Sequence, residues 1–255
     1  MRNKMTDELA VCGLNAVSAV GQYHPLTINR LFLREDRLKQ FTGICKQLAE
    51  RKRPYKICDN EELERICKSV HHQGVLAMIE EPVIESLSME DLDLWAEEGK
   101  TGLVLHSVGN DHNLGAIARA AAFFDAGYIV LNEKDTEARL STSAYRVAEG
   151  AIEHLTIRKI ANTAAFLKDA SKKIITIGTD PRARRRISDI SGIVKSAKVK
   201  TAAVALVLGN EETGLPQAVK DQCSHLLRIP GTGNIDSLNV AQSAALFLHA
   251  VFELS

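Results

Sequence analysis

The strongest constraint on the fold lies in the second half of the chain, where short, β-branched apolar runs alternate with alanine-rich stretches of helical period. The runs cover Gly102–His106, Tyr128–Leu131, Leu155–Ile157, Ile174–Ile177, Ala203–Leu208 and Leu226–Ile229. Between them lie Gly115–Asp125, Ala144–Glu153, Thr163–Ser171, Pro216–Gln222 and Leu238–Phe252. A strand that reads as continuously apolar must be covered on both faces, and strands separated by helices pair in parallel through crossovers. Residues 101–255 are therefore predicted to form an α/β domain, a parallel sheet with helices on both faces. Such sheets bind ligands beyond the carboxyl ends of their strands, so the segments just after each run are the first places to look for function.

Residues 1–81 read as a smaller α/β unit. The pattern predicts helices at Val11–Val20, Arg37–Arg51 and Glu61–Ser69, and strands at Arg30–Leu33, Tyr55–Cys58 and Val75–Ile79. Residues 82–100 are rich in Glu and Asp and read as a linker, with a helix around Met89–Glu98.

Hydrophobic residues make up 45% of the chain and charged ones 25%, the balance of a folded globular protein. The longest apolar runs, such as Ala202–Leu208, fall far short of the roughly 20 residues that span a bilayer. Met1–Ala10 carries Arg2, Lys4, Asp7 and Glu8 and has no apolar stretch of the signal-peptide kind. A cytoplasmic protein without membrane attachment is expected. Cys12, Cys45, Cys58, Cys67 and Cys223 are scattered, with no C-x-x-C pair and no zinc-ligand spacing, so no metal is expected.

With 32 basic and 32 acidic residues the net charge is +0. Non-specific nucleic-acid binders are usually basic overall, so any phosphate contacts would have to come from local patches. Arg51–Arg53 is one such cluster, and Arg182, Arg184, Arg185 and Arg186 form another. A charge run is commonly a solvated face. The second cluster follows a predicted strand end, which makes it equally a candidate for ligand contact.

Three segments carry the chemistry. The first, Asn113-Leu-Gly115-Ala-Ile-Ala-Arg119, follows the strand ending near His106, and a glycine at a strand-to-helix turn lets backbone N–H groups approach a ligand. The second runs from the buried strand Leu206–Leu208 through Gly209, Asn210, Glu211, Glu212 and Thr213 to Gly214 and Pro216. The third, Ile229-Pro-Gly231-Thr-Gly233-Asn234-Ile-Asp236-Ser237-Leu238-Asn239, leads into a helix almost without charge up to Glu253, for which Ser237 is a reasonable N-cap. A helix apolar on nearly every side has to be buried on nearly every side, by a core and by a subunit interface. Taken singly, each segment is equally consistent with a tight turn or a capped helix.

Taken in order and at these separations, the three segments resemble the three motifs of the SpoU/TrmH branch of the SPOUT methyltransferases, over the whole of 101–255. The resemblance implies a deep trefoil knot at the C-terminal end of the sheet, a rare exception to the rule against threaded chains. It implies S-adenosylmethionine as cofactor, RNA as substrate and a homodimer through the C-terminal domain. By motif match, Leu208, Gly209, Ile229 and Leu238 would line the cofactor pocket, while Asn113, Arg119, Glu211, Ser237 and Asn239 would surround the target ribose and phosphate. Arg182, Arg184 and Arg185 are candidate RNA contacts beside Arg119. Val11–Val17 and His71–Ala77 resemble the small ribosomal-protein-like domain with which many members hold RNA. At Ala148-Glu149-Gly150 most members of that family carry a small residue where Glu149 stands, so substrate identity does not transfer from any one relative. His154 reads either as a proton acceptor or as a histidine packed at a helix end.

The implied reaction displaces the sulfonium methyl with a ribose 2′-hydroxyl in ribosomal or transfer RNA. The family proposal makes Arg119 a base. A guanidinium, with a pKa above about 12, is almost never free to accept a proton. The alternative is a planar fork that clamps phosphate and stabilises developing alkoxide charge. Rival readings are an RNA-binding or ribosome-assembly factor of the same fold without methyl transfer, a base methylase of another SPOUT branch, and a dinucleotide enzyme. Against the last, no G-x-G-x-x-G follows the first strand of the C-terminal half and no G-x-x-x-x-G-K-[ST] occurs.

Overall fold

A computed structural model describes residues 2–3, 8–134, 139–197, 199 and 202–254. Backbone contacts divide the chain into two compact units, one of residues 1–83 with 139–154, the other of 84–138 with 155–255.

The first unit runs β1 (Arg2–Asn3), β2 (Glu8–Cys12), α1 (Leu14–Tyr23), β3 (Ile28–Leu33), α2 (Leu38–Glu50), β4 (Tyr55–Ile57), α3 (Asn60–Cys67) and β5 (Val75–Glu80). Its sheet has the order β1-β2-β5-β3-β4, antiparallel except for the β3–β4 pair. The helix expected from Val11 starts instead at Leu14. Glu8–Cys12 is buried at every position, so this strand shows no polar alternation, and Gly13 at φ 104° ends it.

The second unit begins with α4 (Met89–Glu98), β6 (Thr101–Leu105), α5 (Asp111–Phe123) and β7 (Tyr128–Asn132). The next helix, α6 (Thr142–Ala148), belongs to the first unit and packs on β2. The second unit resumes with β8 (Thr156–Ile160), α7 (Thr163–Ala170), β9 (Ile175–Thr179), β10 (Arg185–Arg186), α8 (Ile190–Ser196), β11 (Val204–Leu208), α9 (Gln217–Lys220), β12 (His225–Arg228) and α10 (Val240–Phe252). Its seven strands lie in the order β10-β12-β9-β11-β6-β7-β8, with every pair parallel, as the alternating pattern requires.

β11 occupies the middle of this sheet and is buried along its whole length. Leu92 and Trp95 of α4 pack with Val104, Val130, Ala205 and Val207, while α10 packs on β11 and on α5. The acidic stretch 82–100 thus contains a helix with a buried face, started by the reciprocal Ser88–Asp91 cap. Trp95 stacks on Tyr128 at 4.9 Å and donates its indole N–H to the Lys100 carbonyl at 2.9 Å. Within the single chain α10 buries one face and leaves another open, the face for which the sequence predicts a subunit interface. Val240, Ala244, Phe247, Leu248 and Val251 are buried, but Leu246 and Phe252 are 44% and 43% exposed, and Phe123 of α5 is 79% exposed.

Candidate functional site

The candidate site is assembled at the carboxyl ends of β6, β9, β11 and β12. After β6, Ser107 and Asn110 both adopt left-handed backbone angles, at φ 54° and 51°, and so fold the chain sharply into α5. The Asn110 side chain accepts from the Asn113 amide at 3.0 Å and caps the helix. This cap starts α5 at Asp111 rather than at Gly115. The expected turn glycine is therefore a buried helix position, and Ser107–Asn110 makes the turn.

The three segments meet here through side chains. The Asn113 amide group donates to the Glu211 carboxylate and, at 3.1 Å, to the Gly109 carbonyl. Glu211 also accepts from the Gly109 backbone amide at 3.3 Å. Asn239 donates to the Asn113 side-chain oxygen at 3.1 Å. Three expected site residues thus form one hydrogen-bonded string. Arg119 lies on the exposed face of α5, opposite the buried stripe Leu114, Ile117, Ala118 and Ala121.

After β11 the chain turns through Asn210, whose side chain accepts from the Glu212 and Thr213 amides at 2.9 and 3.1 Å and donates to the Ser107 carbonyl at 2.9 Å. Gly209 tolerates no side chain. A Cβ there would lie 2.5 Å from the Gly214 carbonyl carbon and 2.6 Å from the Leu215 nitrogen. This turn and the exposed loop after β12 line a cavity of 940 Å³. Leu208, Gly209, Glu211, Ile229, Ser237 and Leu238 are all in its wall, with Leu227, Val240 and Phe247 as further apolar surface. Ser237 does not cap α10 as expected. Asn239 does, accepting from the Ala241 amide at 2.8 Å.

The wall residues outside the motifs include an ion pair, Asp180 beyond β9 and Lys220 at the end of α9, at 2.7 Å. Burial pushes the Asp180 carboxyl up, but Lys220 and the Arg182 amide outweigh it and hold the group below the usual carboxylate range. An acid directly after a parallel strand was the sequence signal for Asp180; Lys220 had none. Of the arginine cluster, Arg182 lines the cavity, Arg184 is exposed, and Arg185 lies on edge strand β10 with its guanidinium 2.9 Å from His225 Nδ1. Burial and the adjacent Arg185 hold His225 below the ordinary histidine range.

In the first unit Glu149 has φ 48° and accepts from Asn15 at 3.1 Å, while the His154 ring packs edge-on against Tyr23 at 4.7 Å. Among the described residues no group of three or more His, Cys, Asp or Glu side chains is placed to hold a metal ion. None of the described helices is long and apolar enough to cross a membrane.

Comparison with known proteins shows the family. Residues 100–249 match the model of the SpoU rRNA Methylase family, and residues 10–100 match that of RNA 2′-O ribose methyltransferase substrate binding. The 23S rRNA (guanosine-2′-O-)-methyltransferase RlmB of Nitrosomonas europaea is 29% identical over 250 residues, covering 97% of this chain and 92% of that protein. YacO of Bacillus subtilis, named for the TrmH family of tRNA/rRNA methyltransferases, is 32% identical over 185 residues, 71% of this chain and 70% of its own length. The SpoU methyltransferase AviRb from Streptomyces viridochromogenes, solved in complex with AdoMet, superposes with a TM-score of 0.74 at 20% identity over 99% of this chain and 93% of that one. The chain belongs to the SpoU rRNA methylase family of RNA 2′-O-ribose methyltransferases.

Proposed function

We propose that this protein transfers a methyl group from S-adenosylmethionine to a ribose 2′-hydroxyl, with ribosomal RNA as the substrate class to which its relatives point. The observation that carries the reading is the string Glu211–Asn113–Asn239, which joins all three motif segments beside one cavity.

The cavity fits the cofactor by size and chemistry. At 940 Å³ it lies within the range of small-molecule sites, it is walled by Leu208, Leu227, Ile229, Leu238 and Phe247, and the absence of a Cβ at Gly209 keeps backbone at its edge. Leu208, Gly209, Ile229 and Leu238 would hold it, and when bound it supplies a methyl group already activated on a sulfonium. The protein's own task is then to orient the hydroxyl and stabilise the charge it develops. Arg119 clamps an RNA phosphate and faces the developing alkoxide, while Asn113, Glu211 and Asn239 hold each other in fixed rotamers around the reacting ribose. Ser237, exposed in the loop ahead of Asn239, offers a hydroxyl to the same ribose. Arg182, Arg184 and Arg185 extend the phosphate contacts.

The reading includes the trefoil knot, supported by the way the loops after β11 and β12 line one cavity. It also includes a homodimer, supported by the apolar surface of Phe123, Leu246 and Phe252, and a cytoplasmic location. The divisions 1–81, 82–100 and 101–255 serve as RNA-holding domain, connection and methyltransferase domain.

The test is transfer of label from S-adenosylmethionine to unmodified ribosomal RNA, followed by nucleoside analysis. A 2′-O-methylated nucleoside that vanishes with Arg119→Ala is the expected result. Cofactor binding without transfer to any RNA would favour a binding factor of the same fold.

A further inference from the structure

Resting on the methyl-donor reading above, the geometry points to Asp180 as the residue that recognises the ribose diol of the bound nucleoside, with Lys220 as its positioning partner. Asp180 stands one residue beyond the carboxyl end of β9, the strand that lies between β11 and β12, and those two strands deliver the two loops around the cavity. Its side chain is 11% exposed and that of Lys220 16%, so both charges have been largely withdrawn from water in the wall of a ligand cavity. Burying such a pair gains little stability compared with apolar residues of the same size. A pair retained in a binding cavity therefore invites a role toward the ligand.

The acceptor geometry narrows the choice. One carboxylate oxygen takes the Lys220 ammonium at 2.7 Å, and the other takes the Arg182 backbone amide at 2.9 Å. Each oxygen has two lone pairs, so acceptor capacity remains on both. The remaining capacity suits two adjacent hydroxyls better than a cation. Lys220 already neutralises the carboxylate, and its own charge would repel the amino group of the methionine tail. An acid just past a parallel strand that accepts from a nucleotide ribose is also a recurrent solution in α/β sheets. The Asp180 amide donates to the Leu227 carbonyl at 3.0 Å, which fixes the residue against β12 and keeps the carboxylate in place.

Calorimetric binding of three ligands tests this without any turnover: S-adenosylhomocysteine, its 3′-deoxyribose analogue, and methylthioadenosine, which keeps the diol but lacks the amino-acid tail. Wild-type protein should bind the deoxy analogue about tenfold to hundredfold more weakly than S-adenosylhomocysteine, the range for losing a hydrogen bond to a charged acceptor. In Asp180→Asn, and in the charge-neutral Asp180→Asn/Lys220→Met double variant, that preference should shrink towards unity. Methylthioadenosine should weaken by the same factor as S-adenosylhomocysteine. Lys220→Arg should preserve the preference, which a general loosening of the wall would not. Equal wild-type affinity for the natural and deoxy ligands would overturn the inference, as would loss of S-adenosylhomocysteine binding in the variants with methylthioadenosine unaffected. Failure of wild type to bind any of the three would instead remove the methyl-donor reading, and this inference with it.

Discussion

Gly209→Ala isolates the turn after β11 from the rest of the site. The added methyl carbon would lie 2.5 Å from the Gly214 carbonyl carbon, 2.6 Å from its oxygen and 2.6 Å from the Leu215 nitrogen. Ordinary contact begins near 3.4 Å, so the facing strand of the turn must retreat by roughly 0.9 Å. The obstacles are backbone atoms, which cannot rotate aside. They are pinned by the Gly214-to-Asn210 bond at 2.9 Å and by the Asn210 side chain, which reaches Ser107. Overpacking of this kind costs about 1–3 kcal/mol. Because the strain falls on the cavity wall, S-adenosylhomocysteine affinity should drop by at least about tenfold. Urea unfolding and calorimetry read the two effects, with Gly231→Ala as control, since a Cβ there meets nothing within 4 Å. Unchanged stability and affinity in Gly209→Ala would refute the argument that this turn is held rigidly against the pocket.

Arg119→Ala should abolish methyl transfer while leaving stability within about 0.5 kcal/mol, because the side chain is exposed; partial activity in Arg119→Lys would support the phosphate clamp over the base. Asn239→Ala should reduce turnover by about 10²-fold with near-normal cofactor affinity, since it removes the donor to Asn113 and the α10 cap but no apolar wall. Equal losses in affinity and turnover would count against that separation. Glu153, its side chain 5% exposed, has its carboxyl pushed up by burial, only partly offset by His24 and a hydrogen bond with Tyr145. A carboxyl raised on folding favours the native state below its unfolded pKa and loses that contribution as pH rises through the folded value. Glu153→Gln should therefore stabilise at neutral pH, with the gain fading towards pH 4, as followed by thermal unfolding across pH; a pH-independent difference would contradict it. Replacing Arg182, Arg184 and Arg185 by Gln should flatten the salt dependence of RNA binding, and an unchanged slope removes the cluster from the interface.

The centre of the second unit was legible because strands such as β6, β7 and β11 are buried along nearly their whole length and most of the helices between are alanine-rich; exposed β10 and the alanine-poor α8 gave no such signal and were not expected. Boundaries slipped where side chains rather than apolar pattern decide them. Asn110 and Asn239 cap α5 and α10, whereas Gly115 and Ser237 had offered more familiar signals. In the first unit the end of β2, Val11 and Cys12, reads as the start of a helix because a fully buried strand has no alternation to distinguish it. The motif residues were visible as types and spacings, but their mutual hydrogen bonds were not. No local pattern indicates that Asn113 meets partners 98 and 126 residues away. Asp180 carried a signal in its place just after β9, but its pairing with Lys220 did not, since only the order of strands in the sheet brings the two together.

That order has a consequence for how the site comes into being. The central strand β11 pairs with β6, made about a hundred residues earlier, and with β9, so neither neighbour completes a pocket by itself. Contacts this distant in sequence close late and slowly. As the chain leaves the ribosome, Arg119 and Asn113 emerge long before Glu211 and Asn239 can reach them. Until the segment from Leu238 onward has been made, neither the string of side chains nor the wall at Leu238, Val240 and Phe247 is complete. Ligand affinity should therefore switch on in one late step of synthesis rather than grow by stages, sparing the cell a half-made protein that sequesters its methyl donor.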